Sequence, residues 1–287
     1  MPPENEILSN AKKIITNFKS LPTPSAVLAE ALSITADLSV SYEKVVKVVS
    51  KDPNISSRIL RIANSPYYGL PQRVTNLQLA LVILGIREFR SILISSAMIE
   101  MMRFKELKNS ELFNNLWKKS FLMASIAKHL NTYLKLEYEG EEFVTGLLGN
   151  LGILILLSEF PNEYSEILKT SANIKELLKK EFNMFKCYNS DIVYILLSEW
   201  ELPPILADSI WRQYPLLHTS LSPPIEPKLS AIAKLARFAT EYVNNKFSET
   251  EFIQAPLTTF NLQLEKFIAD LDNLISEKIA PLNFSNI

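Results

Sequence analysis

Three of the chain's six glycines lie three residues apart in one almost entirely apolar stretch. On a helix, Gly146, Gly149 and Gly152 would share one face, where neighbouring backbone can approach closely. Only two of the fifteen residues from 143 to 157 are polar, so such a helix is apolar on every side and is expected to be buried. It is too short to span a bilayer, which takes about 20 residues. The stretch therefore predicts a central core helix around which the rest of the chain packs.

The composition is that of a globular chain in a reducing compartment. Of 287 residues, 47% are hydrophobic and 21% are charged, which is enough for one large domain or two smaller ones. The N-terminal residues lack the basic head and apolar run of a signal peptide. The single cysteine, Cys187, excludes an internal disulfide framework. We therefore expect a cytoplasmic protein without membrane insertion.

Local signals along the chain predict helices. Asp52 is a good N-cap residue and Pro53 follows it at the first helical position. Thr75 and Gln78 predict a capping box at the start of a later helix, which Gly85 interrupts. No hairpin signal and no convincing alternating strand occurs in the sequence. The predicted fold class is all-α.

A last helix, predicted from about residue 259 to 278, carries an apolar stripe. The stripe consists of Leu264, Phe267, Ile268, Leu271, Leu274 and Ile275. An isolated helix of this length is marginal in water, so the stripe needs a surface to cover. We expect it to pack on its own chain; a second copy or a partner helix is the alternative.

Charge is distributed unevenly along the chain. Residues 1–110 hold 14 Lys and Arg and 9 Asp and Glu, a net charge of +5, whereas the remainder carries −6. Five arginines lie between residues 53 and 99, where the only acid is Glu88: Arg58, Arg61, Arg73, Arg87 and Arg90. They could bind an anionic partner, since guanidinium groups suit phosphate, or they could pair with acids on a solvated helix face. Nucleic acid is not an expected partner, because the total charge is −1 and no binding motif accompanies the arginines.

An ordered series of short motifs carries a family resemblance. In chain order these are residues 21–24 (LPTP), 48–53 (VVSKDP), 60–69 (LRIANSPYYG), 84–85 (LG), Trp117 with Ser120, 146–148 (GLL), Gly152 and 200–203 (WELP). The series resembles the HDOD family, bacterial signalling domains related to the HD metal-dependent phosphohydrolases, over about residues 20–242. The resemblance implies an all-helical, two-lobe HD-like module with a role in signal transduction. We place the lobes at residues 1–108 and 109–247, with a C-terminal helical extension at 248–287.

The resemblance also allows the metal-ligand positions of the HD relatives to be checked in this chain. These positions hold Lys119, Gly149, Asn150, Asn189, Gln213, Tyr214 and Arg237. Divalent metals in such sites need imidazole nitrogen and carboxylate oxygen, whereas Lys119 and Arg237 would repel a cation. We therefore expect no metal, no cofactor and no catalytic residue. The competing class is a divergent metal-dependent phosphohydrolase or phosphodiesterase that acts on nucleotides or cyclic dinucleotides.

Two interpretations of this vestigial set of residues remain open. The set could hold an anionic small molecule, or it could satisfy itself, with Lys119 and Arg237 turned outward. Chemistry elsewhere has little support, since the only histidines are His129, expected to stabilise a helix C-terminus, and His218, in a proline-rich loop. The predicted function is regulatory, exerted through contacts with a protein partner.

Overall fold

The computed structural model describes residues 4–17, 25–35, 37, 39–64, 68, 70, 72–101, 111–138, 140–200, 202–214, 227–243 and 254–274. The regular elements in these ranges are all α-helices, which confirms the all-α fold class. The first eight are α1 Glu4–Asn17, α2 Ala26–Ile34, α3 Tyr42–Val49, α4 Pro53–Ala63, α5 Leu77–Met101, α6 Glu111–Tyr133, α7 Glu141–Leu148 and α8 Leu151–Glu159. The others are α9 Pro161–Thr170, α10 Ile174–Phe185, α11 Asn189–Glu199, α12 Pro204–Trp211, α13 Lys228–Val243, α14 Gln254–Thr259 and α15 Leu264–Leu274.

The helix starts follow the sequence signals at α4 but not at α5. Asp52 caps α4 as predicted, because its carboxylate accepts a hydrogen bond from the backbone N–H of Asn54 at 2.8 Å. At α5, the capping residue is Asn76 and not Thr75: the Asn76 side chain accepts from the backbone N–H of Leu79 at 2.8 Å. The correction follows from the helix start, since α5 begins one residue after Asn76.

Helices α2 to α5 enclose the first hydrophobic core. Its members include Leu28, Val45, Ile55, Ile59, Leu81, Phe89 and Leu93. Gly85 has φ 76° and ψ 167°, so it breaks α5 into two segments, as predicted. Residues with side chains rarely adopt this backbone conformation, which explains why glycine occupies the break.

Helices α7 to α12 form a second hydrophobic core, to which α6 adds Phe113 and Leu116. Helix α1 belongs to this core as well: Ile7, Ala11 and Ile15 are buried in it, and α1 lies against α11. The N-terminal helix thus packs against the second part of the chain, although it precedes the first core in sequence. The expected lobe boundaries at residues 108 and 247 lie outside the described residues.

The C-terminal helices cover α6 and α13. Leu257, Phe267 and Leu271 are buried in a third cluster with residues of these two helices, including Leu130 and Phe238. Three residues of the predicted apolar stripe, Leu264, Phe267 and Leu271, therefore pack on their own chain. The helix is shorter than expected, since α14 and a turn precede α15, and Ile275 lies outside the described residues.

The glycine-rich central stretch is buried but is not one continuous helix. Residues 142–157 are all buried, and a turn at Gly149 and Asn150 separates α7 from α8. Among the described residues, Glu141–Glu159 is the one segment long and apolar enough to cross a membrane by length and composition alone. Within this segment, 89% of the most apolar 18 residues are buried inside the protein, as is typical of a core helix.

Candidate functional site

Two glycines allow neighbouring helices to touch the central stretch. A Cβ atom added at Gly146 would lie 2.5 Å from the Cα of Ala124 on α6. One added at Gly152 would overlap the backbone carbonyl oxygen of Asn189, the first residue of α11. The expected close backbone approach is therefore confirmed at both positions. It brings α6 and the start of α11 beside the turn between α7 and α8.

Arg237 extends from α13 into this turn and is 4% exposed. Its Nη1 donates to Asn150 Oδ1, and its Nη2 donates to the Gly149 carbonyl and to Gln213 Oε1, each at 2.7 Å. The Gln213 Nε2 donates to the same Gly149 carbonyl at 2.9 Å. The guanidinium thus joins three of the vestigial positions through hydrogen bonds to neutral oxygens.

Asn189 and Tyr214 form a second part of the same buried cluster. The Tyr214 hydroxyl donates to Asn189 Oδ1 at 3.1 Å. Asn189 donates in turn to the carboxylate of Glu181, with its backbone N–H and its Nδ2 both at 3.0 Å, and the Tyr164 hydroxyl also donates to this carboxylate. The Arg237 guanidinium stacks over the Tyr214 ring at 5.1 Å from its centroid, which connects the two parts.

Lys119 closes the cluster on the side of α6. Its Nζ lies 2.5 and 2.6 Å from the two carboxylate oxygens of Glu241, one turn after Arg237 on α13. Glu241 also lies 3.8 Å from Arg237 Nη1. One carboxylate is therefore shared by two cations. The next residue on α6, Ser120, accepts a hydrogen bond from Asn150 Nδ2 through its Oγ at 3.2 Å.

Burial raises the pKa of two groups in this cluster, Glu181 and Tyr214. It raises the pKa of Glu181 to about 7, although the hydrogen bonds from Tyr164 and Asn189 oppose the shift. It also raises the pKa of Tyr214 to about 12, opposed by the charge of Arg237. The Tyr214 hydroxyl is consequently a proton donor at neutral pH, whereas Glu181 is close to the midpoint of its titration.

All seven vestigial positions meet in this region, and the outward turn of Arg237 that the self-satisfied interpretation included is wrong. Its guanidinium points inward because three buried oxygens accept its hydrogen bonds. The Gly149 carbonyl also accepts a hydrogen bond from Gln213, so the other two oxygens depend most on Arg237. Lys119 is intermediate, with a side chain that is 21% exposed and paired to Glu241.

The residues at these positions do not fit a divalent metal ion. Their side chains offer two amides that accept from Arg237, a third that accepts from Tyr214, and two cations. The carboxylates of Glu181 and Glu241, which contact these residues, already accept hydrogen bonds from protein donors. A cation placed among the amide oxygens would meet the guanidinium of Arg237 directly.

A cavity of about 570 Å³ opens beside the cluster. Tyr214, Arg237, Glu241 and Lys119 line one end of it. Leucines of α6, Ile153 and the segment from α9 to α10 line the rest. The vestigial site is thus reached through a pocket whose size is typical of small-molecule sites.

The five arginines of the proposed anionic-partner patch do not share one exposed surface. Arg58 is 7% exposed, and its Nη1 donates to the Ser96 carbonyl at 2.7 Å, which ties α4 to α5. Arg90 is half-buried, and burial lowers its pKa, opposed by the charge of Glu141. Arg61, Arg73 and Arg87 are exposed. Arg58 therefore has a structural contact, and only three of the five remain on the surface.

The remaining candidate residues offer no second site among the described residues. His129 Nδ1 lies 2.9 Å from the Ser125 carbonyl in the same helix, and His218 lies outside the described residues. Cys187 is fully buried, and burial raises the pKa of its thiol, as expected for an inert packed cysteine.

Sequence reasoning missed the two carboxylates of the cluster. Glu241 had a local signal, because it follows Arg237 by four residues on one helix face. Glu181 had none, since its contact with Asn189 depends on how α10 turns into α11.

A family model described as HDOD domain matches residues 21–215 of the chain. An uncharacterised protein of Treponema pallidum (strain Nichols) is 22% identical over 261 residues, which cover 89% of this chain. Those residues cover 49% of the Treponema protein, so the chain spans about half the length of that relative.

Solved structures share the fold over nearly the whole chain. An HDOD domain protein of unknown function from Geobacter sulfurreducens superposes with a TM-score of 0.73 at 20% identity, covering 98% of this chain and 99% of its own. A candidate phosphohydrolase from Shewanella amazonensis SB2B superposes with a TM-score of 0.70 at 22% identity, covering 93% and 95%. At this level of identity, the comparisons establish a common architecture.

Proposed function

Because the chain belongs to the HDOD domain family, we propose that it is a non-catalytic, cytoplasmic signalling domain that acts by binding a protein partner. The observation that carries the proposal is the position of the Arg237 guanidinium. It lies among Gly149, Asn150 and Gln213, where the resemblance places metal ligands in the HD relatives.

Coulomb repulsion between two cations supports the non-catalytic part of the proposal. A divalent ion about 4 Å from the guanidinium would be repelled by about 8 kcal/mol at an effective dielectric constant of about 20. The amides around Arg237 are neutral and cannot offset this repulsion, and the Glu241 carboxylate close to Arg237 is already paired with Lys119. Without a metal, the hydrolytic chemistry of the HD relatives has no Lewis acid and no activated water.

Elemental analysis combined with a hydrolysis assay tests this part. We expect far less than one equivalent of zinc, iron or manganese in protein purified without chelators. We also expect no hydrolysis of bis(4-nitrophenyl) phosphate when each metal is added back. Stoichiometric metal that a chelator removes, with activity restored when the metal returns, would refute the non-catalytic role.

The protein-binding part needs a separate test, because a domain without chemistry passes on a signal only through what it binds. The intact protein serves as bait in cell extract, with an unrelated helical protein of similar charge as the matched bait. We expect a protein that is enriched only by the intact chain and that binds it saturably after both are purified. Enrichment of no such protein would contradict a docking role.

A further inference from the structure

The cavity beside Arg237 combines an apolar wall with a cationic end. Leu112, Leu116 and Leu122 of α6 line one wall, and Leu177 of α10 is among the residues that line the other. Its charged lining residues are Lys118, Lys119, Arg237 and Glu241. The apolar part would hold a ligand's hydrocarbon group, and the polar end would fix its orientation.

The charges that line the cavity leave an excess of two positive charges. Three cations face one carboxylate, and that carboxylate contacts both Lys119 and Arg237. The hydrogen bonds of the guanidinium go to neutral oxygens, which leave its charge in place. Glu181, the other nearby acid, does not line the cavity and accepts hydrogen bonds from Asn189 and Tyr164 behind it.

We propose that this cavity binds a small phosphate monoester with an apolar organic group. The phosphate lies at the end lined by Lys118 and Lys119, and the organic group lies between the leucines of α6 and α10. A phosphate monoester carries about −1.5 to −2 charges at pH 7, which matches the excess of the cavity. A carboxylate carries one charge and would leave part of the excess uncompensated. Lysine ammonium groups suit phosphate as point charges, and an ammonium group can contact a phosphate and a carboxylate together, as Lys119 would beside Glu241.

The inference rests on the proposed non-catalytic function, because a hydrolase would cleave such an ester instead of retaining it. Both can be measured in one sample. Phenyl phosphate is the probe, and isothermal titration calorimetry at fixed ionic strength reports its binding while released phenol reports its hydrolysis. We expect a Kd on the order of 1 mM or tighter, with no phenol released. Inorganic phosphate, benzoate and phenol should each bind at least several-fold more weakly.

Two variants place the binding in this cavity. Ala172 is exposed and lines the cavity. In Ala172→Trp, the indole ring should fill the cavity and abolish binding. Lys118→Glu should weaken binding about three- to tenfold, since it removes one attraction and adds a repulsion. The matched control is Lys179→Glu, an equally exposed charge reversal on α10 outside the cavity, which should bind like the wild type.

The outcomes separate the inference from the proposed function. If phenyl phosphate does not bind the wild type, or binds Ala172→Trp equally well, the inference is wrong and the non-catalytic role is unaffected. If phenol is released in a metal-dependent manner, the non-catalytic role is wrong. Binding that disappears with a chelator would overturn both.

Discussion

The sharpest structural prediction concerns the variant Arg237→Met. In the wild type, the guanidinium donates to Asn150 Oδ1, to Gln213 Oε1 and to the Gly149 carbonyl. Methionine fills much of the same volume but donates nothing, so these acceptors must find other donors in a region that is fully buried.

The magnitude follows from counting the acceptors that lose their donor. The Gly149 carbonyl keeps its hydrogen bond from Gln213 Nε2, which leaves Asn150 Oδ1 and Gln213 Oε1 without the donor they have in the wild type. Each buried acceptor left unsatisfied costs about 1–3 kcal/mol. Part of this cost is offset, because the variant no longer buries a charge. It also no longer buries the Arg237 Nε, which has no hydrogen-bond partner among the described residues. We expect a net loss of about 2–4 kcal/mol in the free energy of unfolding.

Urea denaturation followed by circular dichroism measures this loss, provided that the slope against urea stays the same. Lys228→Met is the matched control, an exposed cationic residue on the same helix, and it should change stability by about 0.5 kcal/mol or less. A double-mutant cycle of Arg237→Met with Asn150→Leu should show a coupling of about 1–2 kcal/mol, because the second change removes an orphaned acceptor. If Arg237→Met is as stable as Lys228→Met, the guanidinium does not hold the cluster together.

Three further predictions concern the glycines, a buried acid and the tail. Gly152→Ala should destabilise the protein by about 1–3 kcal/mol, because the added Cβ would meet the backbone of Asn189. Gly149→Ala should destabilise it less, because the nearest atoms there are the ends of flexible side chains. Thermal melts compare the two variants, and equal losses of stability would contradict the role of close backbone contact. Burial raises the pKa of Glu142 to about 7, so its contribution to stability is fully present below pH about 4.5 and is lost as pH rises through 7. Glu142→Gln should therefore remove roughly 2–3 kcal/mol of the difference in the free energy of unfolding between pH 5 and pH 8, measured in urea, and an unchanged difference would refute the assignment. Truncation after Lys246 should lower the melting temperature and expose dye-binding apolar surface at every protein concentration, because α14 and α15 cover part of the third core. A truncated protein that is equally stable but changes from dimer to monomer would show that the tail is an assembly helix instead.

The sequence predicts well those features that depend on residues close together in the chain. The spacing of Gly146 and Gly152 predicts close helix contacts, and Gly85 predicts the break in α5. The turn at Gly149 and Asn150 was not predicted, because the apolar pattern continues through it without a change. The donors that meet the Gly149 carbonyl there come from residues 64 and 88 positions away, which no local pattern reports.

The composition of the candidate site was predictable, but its hydrogen bonding was not. The family resemblance brings the seven positions together, and the structure places them in one region. Whether an arginine turns outward or inward depends on the acceptors around it, since its long side chain can reach either environment. Here, the oxygens of Asn150, Gly149 and Gln213 accept hydrogen bonds that hold the arginine inward. Two of these residues, Gly149 and Asn150, are far from Arg237 in sequence.

A guanidinium can take over one of the two roles of a metal ion at such a site. Like a metal, Arg237 connects separate segments, because its donors reach the turn between α7 and α8 and Gln213, the second residue after the end of α12. Its planar fork fixes these contacts in direction as well as in distance. Unlike a metal, it has no open coordination position and cannot activate a water molecule for attack. On the function proposed above, Arg237 keeps the connecting role that a metal ion has in the HD relatives and lacks its chemical role, which is the physical argument for a signalling domain on this fold.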